Sequence, residues 1–180
     1  APLSEVMGPL TLARCAEEHC GPHEPWFWDP TRQGGGVLAD MGCHSIAVGW
    51  YVLTPMNEPV DFLKPVSINA TTALLKGGQP KYRAQLLEQR GVDYTKVPAE
   101  DFTTGTVSFE NPNTGQRSIG QFTNSWMYDK QGLRLEMDGL GPGYAFEIST
   151  LQSSLSVFVG DEAADAVADA ETALEKATSS

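Results

Sequence analysis

Apolar residues run almost without interruption from Val37 to Leu53, and the run stops at Thr54-Pro55. Proline bars the residue before it from helical geometry, so the pattern predicts a helix over 37–53 with a defined end. Val37, Leu38, Met41, Ile46, Val48, Trp50, Val52 and Leu53 leave no clean polar stripe, which predicts a helix buried on all sides. Gly42 and Gly49 are seven apart and share one face, where another backbone can approach. Elsewhere the pattern is that of strands. Leu10–Ala16, Val66–Leu75, Phe102–Phe109 and Arg117–Trp126 read as strands. The last two are joined by Asn111-Pro112-Asn113-Thr114-Gly115, which has the chemistry of a hairpin turn. Leu133, Leu135 and Met137 alternate with Arg134, Glu136 and Asp138, a strand with one buried face. A glycine-rich turn at Gly139–Gly143 precedes two further strands, Tyr144–Ile148 and Leu155–Val159. A short helix near Tyr82–Gln89 is closed by Gly91, and Asp161–Ala177 reads as a terminal helix with an acidic, solvated face. This order predicts an α+β domain, a sheet packed on a few helices.

Composition narrows what such a domain does. The chain has 180 residues, 41% of them hydrophobic, enough for one domain with its own core. The net charge is -11, and the 12 Lys and Arg are scattered, so no nucleic-acid partner is expected. No apolar run is long enough to span a bilayer, and no signal-peptide pattern opens the chain. Three cysteines without a CxxC pair imply reduced thiols and a cytoplasmic setting. Cys15, His19 and His23 recur every four residues, a metal-holding spacing on a helix, but Gly21-Pro22 interrupts any helix there. No metal is therefore expected.

Two ionisable residues interrupt the apolar helix: Asp40 and His44, one turn apart on the same face. Spacing alone fits a structural pair as well as a proton-transfer pair, because both perturb an imidazole. The loop before the helix offers His23, Trp26, Trp28 and Asp29. Aromatic rings with a few polar groups suit a carbohydrate, whose apolar faces stack on Trp. They also suit a cover over the helix end.

The run Gly34-Gly35-Gly36-Val37-Leu38-Ala39-Asp40-Met41-Gly42-Cys43-His44 resembles the GGG-x-L-x-D-x-G-x-H signature of the Gfo/Idh/MocA family of sugar-modifying oxidoreductases. Gly21-Pro22-His23, Trp26-Phe27-Trp28-Asp29 and Leu133-Arg134-Leu135-Glu136 followed by Gly139 are similar to other stretches of it. The resemblance implies an open, largely antiparallel sheet that holds substrate and forms homo-oligomers through its face. It also implies an N-terminal Rossmann domain holding NAD or NADP. No GxGxxG follows a strand here, and the family's Glu-Lys-Pro motif with its catalytic lysine is missing. Residues 1–180 are therefore expected to be one substrate-binding and oligomerisation domain, a fragment without its cofactor domain and inactive by itself. The resemblance implies that His44 takes the hydroxyl proton of a sugar or polyol, that Asp40 orients substrate or tunes His44, and that His23, Trp26, Trp28 and Asp29 contact the sugar. Two other readings stay open: a non-catalytic binding or assembly module of the same fold, and a relative that uses NAD chemistry for glycoside cleavage or epimerisation.

Overall fold

A computed structural model describes residues 3–130, 132–150, 154–161, 164, 165 and 168. Among these, seven strands form one sheet: β1 (Leu12–Glu18), β2 (Lys64–Ala73), β3 (Phe102–Glu110), β4 (Arg117–Ser125), β5 (Arg134–Gly141), β6 (Tyr144–Ser149) and β7 (Ser154–Val159). Their order is β2-β3-β4-β1-β5-β6-β7. Only β1 and β4 pair in parallel; every other neighbour is antiparallel. The expected α+β class and open, largely antiparallel sheet are what the chain forms. The helix expected over Asp161–Ala177 lies outside the described residues, apart from Asp161, Ala164, Asp165 and Ala168. No helix among the described residues is long and apolar enough to cross a membrane.

The helices are α1 (Leu3–Met7), α2 (Pro30–Gln33), α3 (Val37–Leu53) and α4 (Pro80–Arg90). Helix α3 has the predicted limits and lies across β1 and β4. Its burial differs from the expectation. Val37, Met41, Ser45, Gly49 and Leu53, each four residues on from the last, are buried, whereas Ala39, Cys43, His44, Ala47 and Tyr51 face outward. A helix layered on one face of a sheet buries one stripe, whatever the polarity of the others. Gly49 sets the approach to β4: a Cβ built on it would lie 4.0 Å from Gly120 Cα and 3.7 Å from Cys15 Sγ. Buried polar side chains fix the register. Ser45 Oγ donates to Asn124 Oδ1 at 2.9 Å, and Asn124 Nδ2 donates to the Met41 carbonyl at 3.3 Å.

Strand β1 runs to Glu18, beyond the expected Leu10–Ala16, so Ala13, Cys15 and Glu17 alternate on the face beneath α3. Cys15, His19 and His23 therefore share no helix, and no group of three His, Cys, Asp or Glu side chains among the described residues has metal-binding geometry. Burial, helped by the nearby Asp138 carboxylate, pushes the Cys15 thiol up to about 11. Cys20 and Cys43 are exposed. In native protein at pH 8, Cys20 and Cys43 are expected to react promptly with a thiol reagent, and Cys15 only after unfolding. Because the folded thiol holds its proton more tightly than the unfolded one, Cys15 adds stability below a thiol's ordinary value of 9.0. That contribution is lost as pH rises toward 11, so Cys15→Ala should flatten the alkaline fall in stability.

The uncovered face of the sheet carries Thr104, Thr106, Gln121 and Thr123, with Arg14, Glu136 and Asp138 further across. Thr103 lies on the opposite face and is fully buried, its hydroxyl donating to the Thr71 carbonyl at 3.3 Å. Successive strand side chains alternate, so Thr103 cannot share a face with Thr104 and Thr106.

Antiparallel neighbours β2 and β3 are joined by residues 74–101, far longer than the roughly two to five residues of an ordinary hairpin loop. This excursion contains α4, which opens on Pro80 and closes on Gly91 in the left-handed region at φ 69°. Tyr94 from the excursion packs edge-on against Trp28, centroids 5.7 Å apart, and Trp28 lies 5.0 Å from Trp126. With Val37, Met41, Val92 and Ala99 they form one core cluster beneath the start of α3.

Candidate functional site

Four chain segments meet where α3 begins: the end of β1, the 19–29 loop, the glycine turn and the end of the excursion. The turn is shaped by Glu100. Its carboxylate accepts from Gly36 N at 3.0 Å and Leu38 N at 3.4 Å, and its carbonyl accepts from Val37 N at 2.9 Å. The open amides of the helix start are thus held by a side chain distant in sequence. A Cβ at Gly36 would come within 2.2 Å of the Glu100 carbonyl oxygen, so the glycine is there for a close backbone approach. The same contacts answer whether this turn cradles a dinucleotide phosphate: its N–H groups already hold the chain's own anion. The amides of Gly36, Val37 and Leu38 are therefore not free to cradle a phosphate.

From this start α3 aims Asp40 into a cleft of about 700 Å³ between β1 and the 19–29 loop, lined by Glu17, His19, Cys20, His23, Phe27 and Asp40 among others. Asp40 Oδ2 accepts from Trp126 Nε1 at 2.9 Å and lies 3.7 Å from His19 Nε2. The other nitrogen of His19, Nδ1, accepts from Gly21 N at 2.9 Å, so the ring proton sits on Nε2, toward Asp40. His44 stands one turn on, its side chain 60% exposed, with Nδ1 2.5 Å from Glu17 Oε2. Glu17 is buried on β1 between α3 and the sheet.

The pairing expected between Asp40 and His44 is therefore not made. Each has another partner: Asp40 takes Trp126 and His19, and His44 takes Glu17. Helical spacing permits an i,i+4 contact but does not compel it when the sheet below offers a closer partner. The result is two carboxylate–imidazole pairs beside one open cleft.

The loop candidates separate. His23 is exposed and lines the cleft, while its carbonyl accepts from Arg90 Nη1 at 2.9 Å. Trp26 is exposed, 4.6 Å centroid to centroid from Phe27. Trp28 is buried with Nε1 donating to the Pro22 carbonyl at 3.0 Å. Asp29 caps α2, accepting from Thr31 N at 2.9 Å and Thr31 Oγ1 at 2.6 Å; the Thr31 bonds hold its carboxyl below the usual range. Trp28 and Asp29 thus have structural work that sequence reading does not reveal. Glu17 and His19 are the site residues that it misses. The signal for Glu17 was present: a carboxylate in phase with Ala13 and Cys15 on a buried strand face.

An open α+β sheet thus carries a cleft lined by imidazoles and carboxylates at one end of its central helix. The chain belongs to the GFO/IDH/MocA family, whose C-terminal-domain model matches residues 4–140. A comparison with curated proteins finds no match. Among solved structures, GenD2 from gentamicin A biosynthesis, in complex with NAD, aligns at 23% identity and TM-score 0.54, covering 81% of this chain and 33% of that one. Levoglucosan dehydrogenase with NADH aligns at 16% identity and TM-score 0.59, covering 88% and 38%. An NAD binding oxidoreductase from Klebsiella pneumoniae aligns at 17% identity and TM-score 0.57, covering 87% and 37%. At these identities the likeness is one of fold, and the chain spans between a third and two fifths of those proteins.

Proposed function

We propose that this chain is the substrate-binding domain of an NAD(P)-dependent oxidoreductase acting on a hydroxyl of a sugar or polyol. The observation that carries the reading is the contact of His44 with Glu17, a carboxylate that lines an open cleft. When bound, held mainly by a part of the protein other than these residues, a nicotinamide supplies the hydride acceptor. What this chain contributes is position and proton transfer. The His44 Nδ1–H points at Glu17, which leaves Nε2 with its lone pair free for a substrate hydroxyl. Glu17 fixes the ring orientation and stabilises the imidazolium once the proton arrives. Asp40, held by Trp126, and the His19 Nε2–H present an acceptor and a donor to neighbouring hydroxyls. His23, which lines the cleft, and the exposed Trp26 beside the lining Phe27 meet the sugar from the loop side in this reading; Trp28 and Asp29 shape that loop.

The reading also draws on one relative in fold, levoglucosan dehydrogenase, solved with NADH and levoglucosan and again with NADH and L-sorbose. Its test is Glu17→Gln in the full-length protein, assayed for sugar-dependent nicotinamide reduction. Turnover is expected to fall about tenfold or more with KM little changed, the mark of an interaction that matters as charge develops. An unchanged kcat would remove Glu17 from the mechanism.

The bare sheet face favours a second role, pairing with another copy of the chain. On it Asp138 and Glu147 are register partners, and burial with Glu147 holds the Asp138 carboxyl above its usual range. Sedimentation of the full-length protein reads this pairing directly.

A further inference from the structure

The excursion between β2 and β3 builds a second cleft, of about 460 Å³, next to the first. Cys20 and Pro22 line both clefts. Three of the chain's 12 basic side chains converge there, Lys76, Lys81 and Arg90, although the net charge is -11. Lys76 and Lys81 lie on one ring: their Nζ atoms are 5.2 and 5.5 Å from the Tyr82 centroid. Two ammonium groups brought to one ring repel each other unless anions compensate them. Lys76 is compensated by Asp129. Asp101, the other carboxylate of the cleft, is committed, accepting from Leu75 N at 2.7 Å and from Gly77 N. Lys81 has no carboxylate partner among the described residues. Arg90 spends one guanidinium nitrogen on the His23 carbonyl, which ties this cleft to the rim of the first. Gln85 and Gln89, four and eight residues on from Lys81, carry its row along α4. The lining thus offers unmatched positive charge, an aromatic ring and free amides, a combination suited to a ligand that is both polyhydroxylated and anionic.

We propose that this cleft is a subsite for an anionic group, a carboxylate or phosphate, carried by the sugar whose hydroxyl end occupies the first cleft. The inference rests on the sugar reading above and extends it to substrate class: sugar acids or sugar phosphates over neutral sugars. Lys81 and Arg90 hold the anion, and Gln85 and Gln89 bond to hydroxyls between the two ends.

The test is calorimetric titration of the full-length protein with D-glucose, D-glucuronate and D-glucose 6-phosphate. At least one anionic probe is expected to bind about tenfold or more tightly than glucose, a gain typical of one good charge-assisted contact. Which probe gains identifies the group. Lys81→Gln should narrow that gap while its glucose affinity stays the same. The doubly substituted Lys81→Gln, Arg90→Gln protein is the second variant and should lose the gap altogether, whatever its glucose affinity, because Arg90 also props the His23 carbonyl. Equal affinity for all three probes, a gap that survives both variants, or no binding of any probe would overturn the subsite. The two readings fail separately. Tight anion binding without nicotinamide reduction leaves the subsite and removes the dehydrogenase, whereas oxidation of neutral sugars with no anionic gain does the reverse.

Discussion

His44→Ala in the full-length protein is expected to lower turnover by about 10²- to 10⁴-fold, the usual worth of a positioned acid or base. Because truncation leaves the buried Glu17 carboxylate without its partner, it should also cost about 1–3 kcal/mol of stability. The two readouts divide the alternatives. A residue that only secures Glu17 would cost that stability and leave turnover per folded molecule alone. If the variant melts early and turnover per folded molecule is unchanged, His44 is structural. His44→Gln keeps a hydrogen-bonding side chain but no titratable ring. It is expected to be as inactive as alanine.

Trp28→Ala is expected to cost about 3–5 kcal/mol, the largest stability loss of any single change in this region. Trp28 is buried against Tyr94 and Trp126, and its indole N–H is the donor for the Pro22 carbonyl. Truncation therefore opens a cavity and orphans an acceptor together. Trp26→Ala, two residues earlier and exposed, should change stability by less than about 1 kcal/mol while weakening sugar binding. A denaturant midpoint for each variant decides the matter. Similar losses at both positions would mean that the loop is one packed unit and Trp26 is no ligand contact.

These opposite expectations for two tryptophans of one short motif show what the sequence withholds. Periodicity located α3 to the residue, because a helix between a glycine turn and Thr54-Pro55 has local start and stop signals. It also placed the β3–β4 hairpin, whose turn chemistry is local. It did not place partners. Asp40 and His44 are neighbours along the helix, but β1 supplies Glu17 and the residue after β4 is Trp126, 27 and 86 residues away in sequence. Likewise Glu100 reaches Gly36 across 64 residues. Contacts of that range depend on sheet order, and only the parallel pairing of β1 with β4 brings those residues under α3. The resemblance supplied candidate residues; the register determined which of them touch.

The chain holds three histidines: His19 and His23 line the first cleft, and His44 contacts its Glu17. Selective ¹⁵N labelling of histidine in the full-length protein, with these three resonances assigned by substitution, therefore reports directly on ligand entry. On titration with a sugar, the ring signals of His19, His23 and His44 should shift together along one saturation curve. Saturating sugar that leaves all three unmoved would contradict a carbohydrate site at the start of α3.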